Sequence, residues 1–165
     1  MPDTSVRLAK AADHPVLERL WLMFRHDMSQ FQHQLPNPDG TFRSERLQAA
    51  FKDADWAAYL LMSEGRPVGL ALVRGLSSRI RVLNSFFVVR GARRTGIGLR
   101  AVHEVVTKHP GPWEVAFQDA NPTAVHFWRR VATEMTGDAW TEERRPVPGK
   151  PNTPPDVWIS FHASA

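Results

Sequence analysis

Apolar residues at Val16, Leu17, Leu20, Trp21, Phe24 and Met28 recur in steps of three and four, the pattern of one helix face, and Asp13 stands before them as an N-cap. A short strand around Ser5 to Ala9 precedes that helix, and Leu47 and Phe51, four apart, predict a second helix over 44–51. Three strands are then expected, "WAAYLLMS" (56–63), "PVGLALVR" (67–74) and "RIRVLNSFFVV" (79–89). The turn "EGR" between the first two predicts an antiparallel hairpin. Simple alternation along the third puts Val82, Phe86 and Val88 on one face and Leu83, Phe87 and Val89 on the other, a strand buried on both sides. Leu99, Val102, Val105 and Val106 resume helical spacing until "KHPGP" stops it. After a strand "WEVAF" (113–117), Asn121 caps a helix with Pro122 at its first position and Ala124, Phe127, Trp128 and Val131 on its inner face. Closing strands near 139–144 and 157–161 flank a Pro-rich loop. The order predicts a mixed α/β sheet that begins with antiparallel strands and ends in a strand, helix, strand unit.

Composition narrows the classes rather than choosing among them. A chain of 165 residues with 42% apolar content suits one domain spanning 1–165. The absence of cysteine excludes disulfides, thiolate zinc sites and cysteine nucleophiles. No apolar run reaches a membrane-spanning length and "MPDTSVRLAK" has no secretory pattern, so a soluble, cytoplasmic protein with no membrane partner is expected. The formal charge of +4 suits an anionic ligand. Because the basic residues are spread along the chain, a specific nucleic-acid partner is not expected. His26, His33 and His103 have no metal-ligand spacing and the carboxylates are scattered, so no metal is expected.

The segment "RGARRTGIGLRA" (90–101) carries the candidate chemistry. A P-loop would need Lys and Ser or Thr after its second glycine, where Leu99 and Arg100 stand. Gly96, Gly98 and Ala101 satisfy a dinucleotide fingerprint, with Asp119 about 20 residues on as a ribose ligand, but six residues intervene between strand and glycine and too little chain follows for a doubly wound sheet. What fits the whole segment is a basic turn whose glycines open a helix, where free N–H groups and the helix dipole accept pyrophosphate. Gly96 and Gly98 would let the backbone come close, with Arg93 or Arg94 adding charge at the rim.

Within "FFVVRGARRTGIG", Arg93, Gly96 and Gly98 resemble the acyl-CoA motif of the GNAT superfamily of N-acyltransferases, an apolar strand followed by Arg/Gln-x-x-Gly-x-Gly/Ala. "NPTAVHFW" resembles the superfamily's second motif through Asn121, Ala124, Phe127 and Trp128. The resemblance covers roughly residues 80–132. It implies an α+β fold, a mixed and mostly antiparallel sheet of six to seven strands flanked by about four helices. It also implies acetyl-CoA as co-substrate, its pantetheine arm in a notch between the third strand and "WEVAF", bonded near Val88 and Val89. Its pyrophosphate would meet Arg93, Arg94, Thr95, Gly96, Ile97, Gly98 and Leu99, with Asn121 and Trp128 beside it. An acceptor amine would then attack the thioester directly while a backbone N–H near Val88 holds the oxyanion.

Two family features are replaced. Where a tyrosine usually protonates the leaving thiolate the chain has Trp128, and where a strand glutamate often serves as base it has Asn84 and Ser85. Indole has no usable acidic pKa, and the sole tyrosine, Tyr59, lies on an early strand. Asn84, Ser85 and Trp128 are therefore the catalytic candidates, with His26 and His126 considered as bases and His126 expected to face solvent. Phe31, His33, Phe42, Glu142 and Glu143 would wall an acceptor cleft, the two glutamates attracting a cationic amine. The expected activity is N-acetylation of a primary amine. A non-catalytic acyl-CoA sensor, an aminoacyl-tRNA-directed acetyltransferase and a homodimeric assembly stay open.

Overall fold

The computed structural model describes residues 3–164. Seven strands form one sheet: β1 (Thr4–Leu8), β2 (Trp56–Ser63), β3 (Arg66–Arg74), β4 (Arg81–Val88), β5 (Gly111–Phe117), β6 (Thr141–Arg145) and β7 (Asp156–Ala163), in the order β1-β2-β3-β4-β5-β7-β6. Only β4 and β5 pair in parallel. Helices α1 (His14–Gln32) and α2 (Glu45–Lys52) pack on one face, α3 (Ile97–Thr107) and α4 (Pro122–Thr136) on the other. The mixed, mostly antiparallel α+β architecture expected from the sequence is thus present. Among the described residues no helix is long and apolar enough to cross a membrane.

Two separate cores result, one per sheet face. Leu17, Leu20, Trp21, Phe24 and Leu47 meet Leu60, Leu70, Leu72 and Phe87 beneath α1 and α2. Val102, Val105, Val106, Trp128 and Val131 meet Val73, Leu83, Val115 and Ile159 beneath α3 and α4. Strand β4 serves both, but not by simple alternation. Leu72 pairs with Ser85 and Val73 with Leu83, so Asn84 is an extra residue in a β-bulge. The bulge shifts the pleat by one, and Leu83 joins Phe86 and Val88 on the α3/α4 face instead of Phe87 and Val89 on the other. A two-residue period could not register it, because a bulge depends on how the neighbouring strand pairs.

Asp13 differs too. It does occupy the N-cap position of α1, at the end of a short 3-10 turn (Ala11–Asp13), but its carboxylate takes the Lys10 backbone N–H at 2.8 Å and both terminal guanidinium nitrogens of Arg7 at 2.7 and 2.9 Å instead of an N–H of α1. Asn121 does cap α4, accepting from the Ala124 N–H at 3.1 Å.

Near the start of β5, the Tyr59 hydroxyl and His109 Nε2 lie 2.8 Å apart, joining β2 to the turn after α3. Burial, then the charges of Arg81 and Lys108, pushes the His109 imidazole below its ordinary value. A histidine with a depressed folded pKa favours the native state above its unfolded value, about 6.5, and loses that contribution as pH falls through the folded one. Urea unfolding at pH 7.5 and pH 5 should therefore show a smaller acid loss of stability in His109→Gln than in the wild-type protein.

Candidate functional site

Parallel pairing of β4 with β5 runs from Arg81 to Leu83 and stops at the bulge, so beyond Asn84 the two strands part. The wedge between them opens toward Val88 and Phe117, the C-terminal ends of both strands. Backbone direction then decides which groups face the wedge. The Val89 N–H donates to the Val68 carbonyl at 2.8 Å, making those two a hydrogen-bonded antiparallel pair. The next pair, Val88 with Gly69, is the non-bonded kind, whose peptide groups point away from the partner strand. Val88 therefore turns its N–H and C=O toward β5. Of the two positions read from the sequence, Val88 reaches the wedge and Val89 spends its N–H on β3.

The glycine loop closes the open end. Gly96 is the N-cap of α3 at φ 81°, a left-handed conformation that costs other residues about 1 kcal/mol or more. The first bond within the helix runs from the Arg100 N–H to the Gly96 carbonyl at 3.2 Å, so the N–H groups of Ile97, Gly98 and Leu99 precede it. A Cβ on Gly98 would sit 3.1 Å from the Phe127 ring, so this glycine serves the approach of α4 to α3. A Cβ on Gly96 would meet nothing within 4 Å. Thr95 donates its hydroxyl to the Ala92 carbonyl at 2.8 Å and shapes the turn, while Arg94 is exposed at φ 65°.

Arg93 has a different position from the rim residue expected. Its Nε donates to the Val88 carbonyl at 2.8 Å, its Nη2 pairs with Asp27 of α1, and its guanidinium lies 5.6 Å from the Phe87 ring. Arg90 binds the same carboxylate at 2.7 and 3.1 Å. Burial pushes Asp27 up, but the two arginines outweigh it and hold the group below the usual carboxylate range. Exposed ion pairs of this kind contribute less than about 1 kcal/mol each, so their value here is orientation. Asp27 was missed in the sequence because its partners lie more than sixty residues away.

Trp128 is 7% exposed, edge-on to Phe86 at 5.6 Å and to Phe127 at 4.8 Å, with Phe86 stacked on Phe127 at 5.8 Å. This aromatic cluster joins β4 to α4 on the α3/α4 side. On the other face, Ser85 is 3% exposed and donates to Asn84 Oδ1 at 3.2 Å, which gives both polar groups a partner at the bulge. His26 and His126 are solvent-facing. Asp119, the ribose candidate of the dinucleotide alternative, is bound through both oxygens by Arg144 at 2.7 and 2.8 Å.

The acceptor walls are only partly as expected. A cleft of about 720 Å³ separates α1 from α2, lined by Trp21, Phe42, Arg43 and Gln48 among others. Glu142 turns to Arg129 at 2.8 and 2.9 Å, and Glu143 to Arg145 at 2.6 Å, so neither carboxylate presents unneutralised charge. Among the described residues no group of histidines and carboxylates could hold a metal.

The comparisons with known proteins agree with this fold. Residues 18–132 match the model of the acetyltransferase (GNAT) family, and the chain belongs to that family of acyl-CoA-dependent N-acetyltransferases. Similar solved structures include an acetyltransferase from Thermus thermophilus, 18% identical with a TM-score of 0.68 over 96% of each chain. The spermidine N-acetyltransferase of Vibrio cholerae, in complex with CoA and spermine, is 10% identical with a TM-score of 0.67 over 96% of this chain and 95% of that one. The aminoglycoside enzyme AAC(6')-Ib, in complex with paromomycin and acetyl-CoA, is 15% identical with a TM-score of 0.67 over 97% and 93%. No curated protein sequence matches significantly.

Gly96→Ala should fold and lose about 1 kcal/mol of stability in chemical denaturation, the cost of a Cβ at positive φ with no steric clash to add.

Proposed function

We propose that this chain, acting in the cytoplasm as a single domain, transfers the acetyl group of acetyl-CoA directly to a primary amine. The observation that carries the reading is the wedge itself: a strand edge at Val88 with its N–H turned into the gap, continuous with the glycine-opened N-terminus of α3. In this reading the N–H groups of Ile97, Gly98 and Leu99 and the helix dipole hold the pyrophosphate, with Arg94 adding charge. Arg93 braces the loop from behind. Trp128 and Asn121 shape the α4 wall.

The acyl carbonyl would lie against the Val88 N–H, which favours the oxyanion formed as the amine attacks. The new C–N bond forms, the C–S bond breaks and CoA leaves as thiolate. A thiol pKa of about 8.5 makes that departure tolerable near neutral pH without an acid in the place of Trp128. Asn84 and Ser85 orient the amine or the water that takes its proton. Because the amine attacks the thioester itself, no acyl-enzyme is needed. The amine acceptors named for the Vibrio cholerae and aminoglycoside enzymes support the class of acceptor.

Thermal unfolding with excess acetyl-CoA, with NAD as control, tests the reading: a ligand of the native state raises the midpoint, and a rise is expected with acetyl-CoA alone. Gly96→Glu should abolish that rise while Gly96→Ala keeps it, since both carry the same backbone strain and only one places a carboxylate at the helix N-terminus. An unchanged rise in Gly96→Glu would overturn the loop assignment. Binding of acetyl-CoA without thiol release in the presence of any amine would favour a sensing role instead. Once an acceptor is in hand, Trp128→Phe should keep turnover within about tenfold, about 1.4 kcal/mol of barrier. A larger loss with intact folding and donor affinity would give the indole a role in the reaction.

A further inference from the structure

Arg25 stands on the apolar stripe of α1, four residues after Trp21, and is 7% exposed. Its guanidinium lies 5.9 Å from the Trp21 ring, its Nε is buried without a hydrogen-bond partner, and among the described residues no carboxylate forms an ion pair with it. The charges nearest to it are mostly of its own sign. Burial, then Arg46 and Arg43, pushes its guanidinium below the ordinary value, against a weaker opposing pull from Glu45. Glu45 is itself 71% exposed and spends its carboxylate on Arg43 at 3.3 Å. A buried cation with no counter-charge is expensive, and hydrophobic residues of similar volume would do the packing better.

Its position gives that cost a purpose. Phe24, the preceding residue, lies 5.9 Å from Phe87, which sets this part of α1 over the C-terminal half of β4. Ser85 and Phe87 pair with Leu72 and Leu70 of the α1/α2 core and so share that face. Arg46 feels both Asp156 at the start of β7 and Arg74 at the end of β3. Both charges lie on strands that flank the β4–β5 pair, so Arg46 stands on the α1/α2 side of the sheet. Two arginines with no ion pair among the described residues therefore stand on the side of the sheet opposite α3 and α4, the side that Ser85 shares, while Glu142 and Glu143 are already neutralised.

We propose that the acceptor is an amine that also carries a carboxylate, an amino acid or similar small zwitterion, whose carboxylate pairs with Arg25 and, at the rim, Arg46. A guanidinium presents paired N–H donors that match the two oxygens of a carboxylate. Anchoring the anionic end on α1 and α2 leaves the amine directed at β4, where Asn84 and Ser85 stand. This rests on the acyltransferase reading above and deepens it to a substrate class.

The test is acetyl-CoA-dependent thiol release over matched sets: each α-amino acid, its carboxamide and its decarboxylated amine, plus phosphoethanolamine beside ethanolamine. At least one amino acid should exceed both of its partners tenfold or more in kcat/KM. Arg25→Met should collapse that ratio at least tenfold, mainly through KM, with the acetyl-CoA Kd unchanged and Tm unchanged or raised. Arg25→Lys should recover part of the ratio. Should Arg25→Met fail to fold, Arg46→Gln at the rim must lower the same ratio by a smaller factor. Preference for the neutral or cationic member in every set would overturn the proposal. So would a preference confined to the phosphate pair, or an equal loss by Arg25→Met on all members. Acetyl-CoA failing to bind the wild-type protein would overturn the acyltransferase reading, and this inference with it.

Discussion

The bulge at Asn84 advances β4 by one residue between Leu83 and Ser85, and the rest of the molecule is arranged around that step. Before it, β4 pairs on both sides. After it, β4 keeps β3 and leaves β5, and its peptide groups on that side must find other partners or a ligand. Arg93 supplies one such partner at the Val88 carbonyl. The same step assigns Phe86 and Val88 to the α3/α4 core and Ser85 and Phe87 to the α1/α2 side, so the two faces are set apart by a single inserted residue.

Electrostatics divides the arginines into two groups. Arg7, Arg90, Arg93, Arg129, Arg144 and Arg145 are each matched by a carboxylate, often bidentately, and Arg90 and Arg93 reach one more than sixty residues away. Asp27 links the glycine loop to α1, so the helix that carries Arg25 and the turn that opens α3 share one anchor. Arg25 contrasts with these six: it sits deeper than they do and has no counter-ion among the described residues, although burial raises the demand for one.

The sequence was most legible where local rules act alone. Asn121 and Pro122 mark the start of α4, the EGR turn makes the hairpin, and Gly96 occupies the one position in its loop that needs a positive φ at a helix cap. What it concealed depends on pairing across distance. Alternation could not reveal the bulge, and Asp13, which does stand at the start of α1, gives its carboxylate to Arg7 and Lys10 rather than to the helix. Glu142 looked available until Arg129 took it. Arg25 did leave a trace, an arginine at a position where Leu17 and Trp21, at the same spacing, are apolar.

The order of strands carries a practical consequence. The segment matching the family model, residues 18–132, holds β2 to β5, whereas β1 covers one flank of the sheet and β7 with β6 the other. A fragment trimmed to the matching segment would bare the backbone edges of β2 and β5 at once and remove Val157, Ile159 and Phe161 from the core. Such open edges are templates for pairing with other chains. The stretches outside the matching segment are thus the ones that cover the edges of β2 and β5.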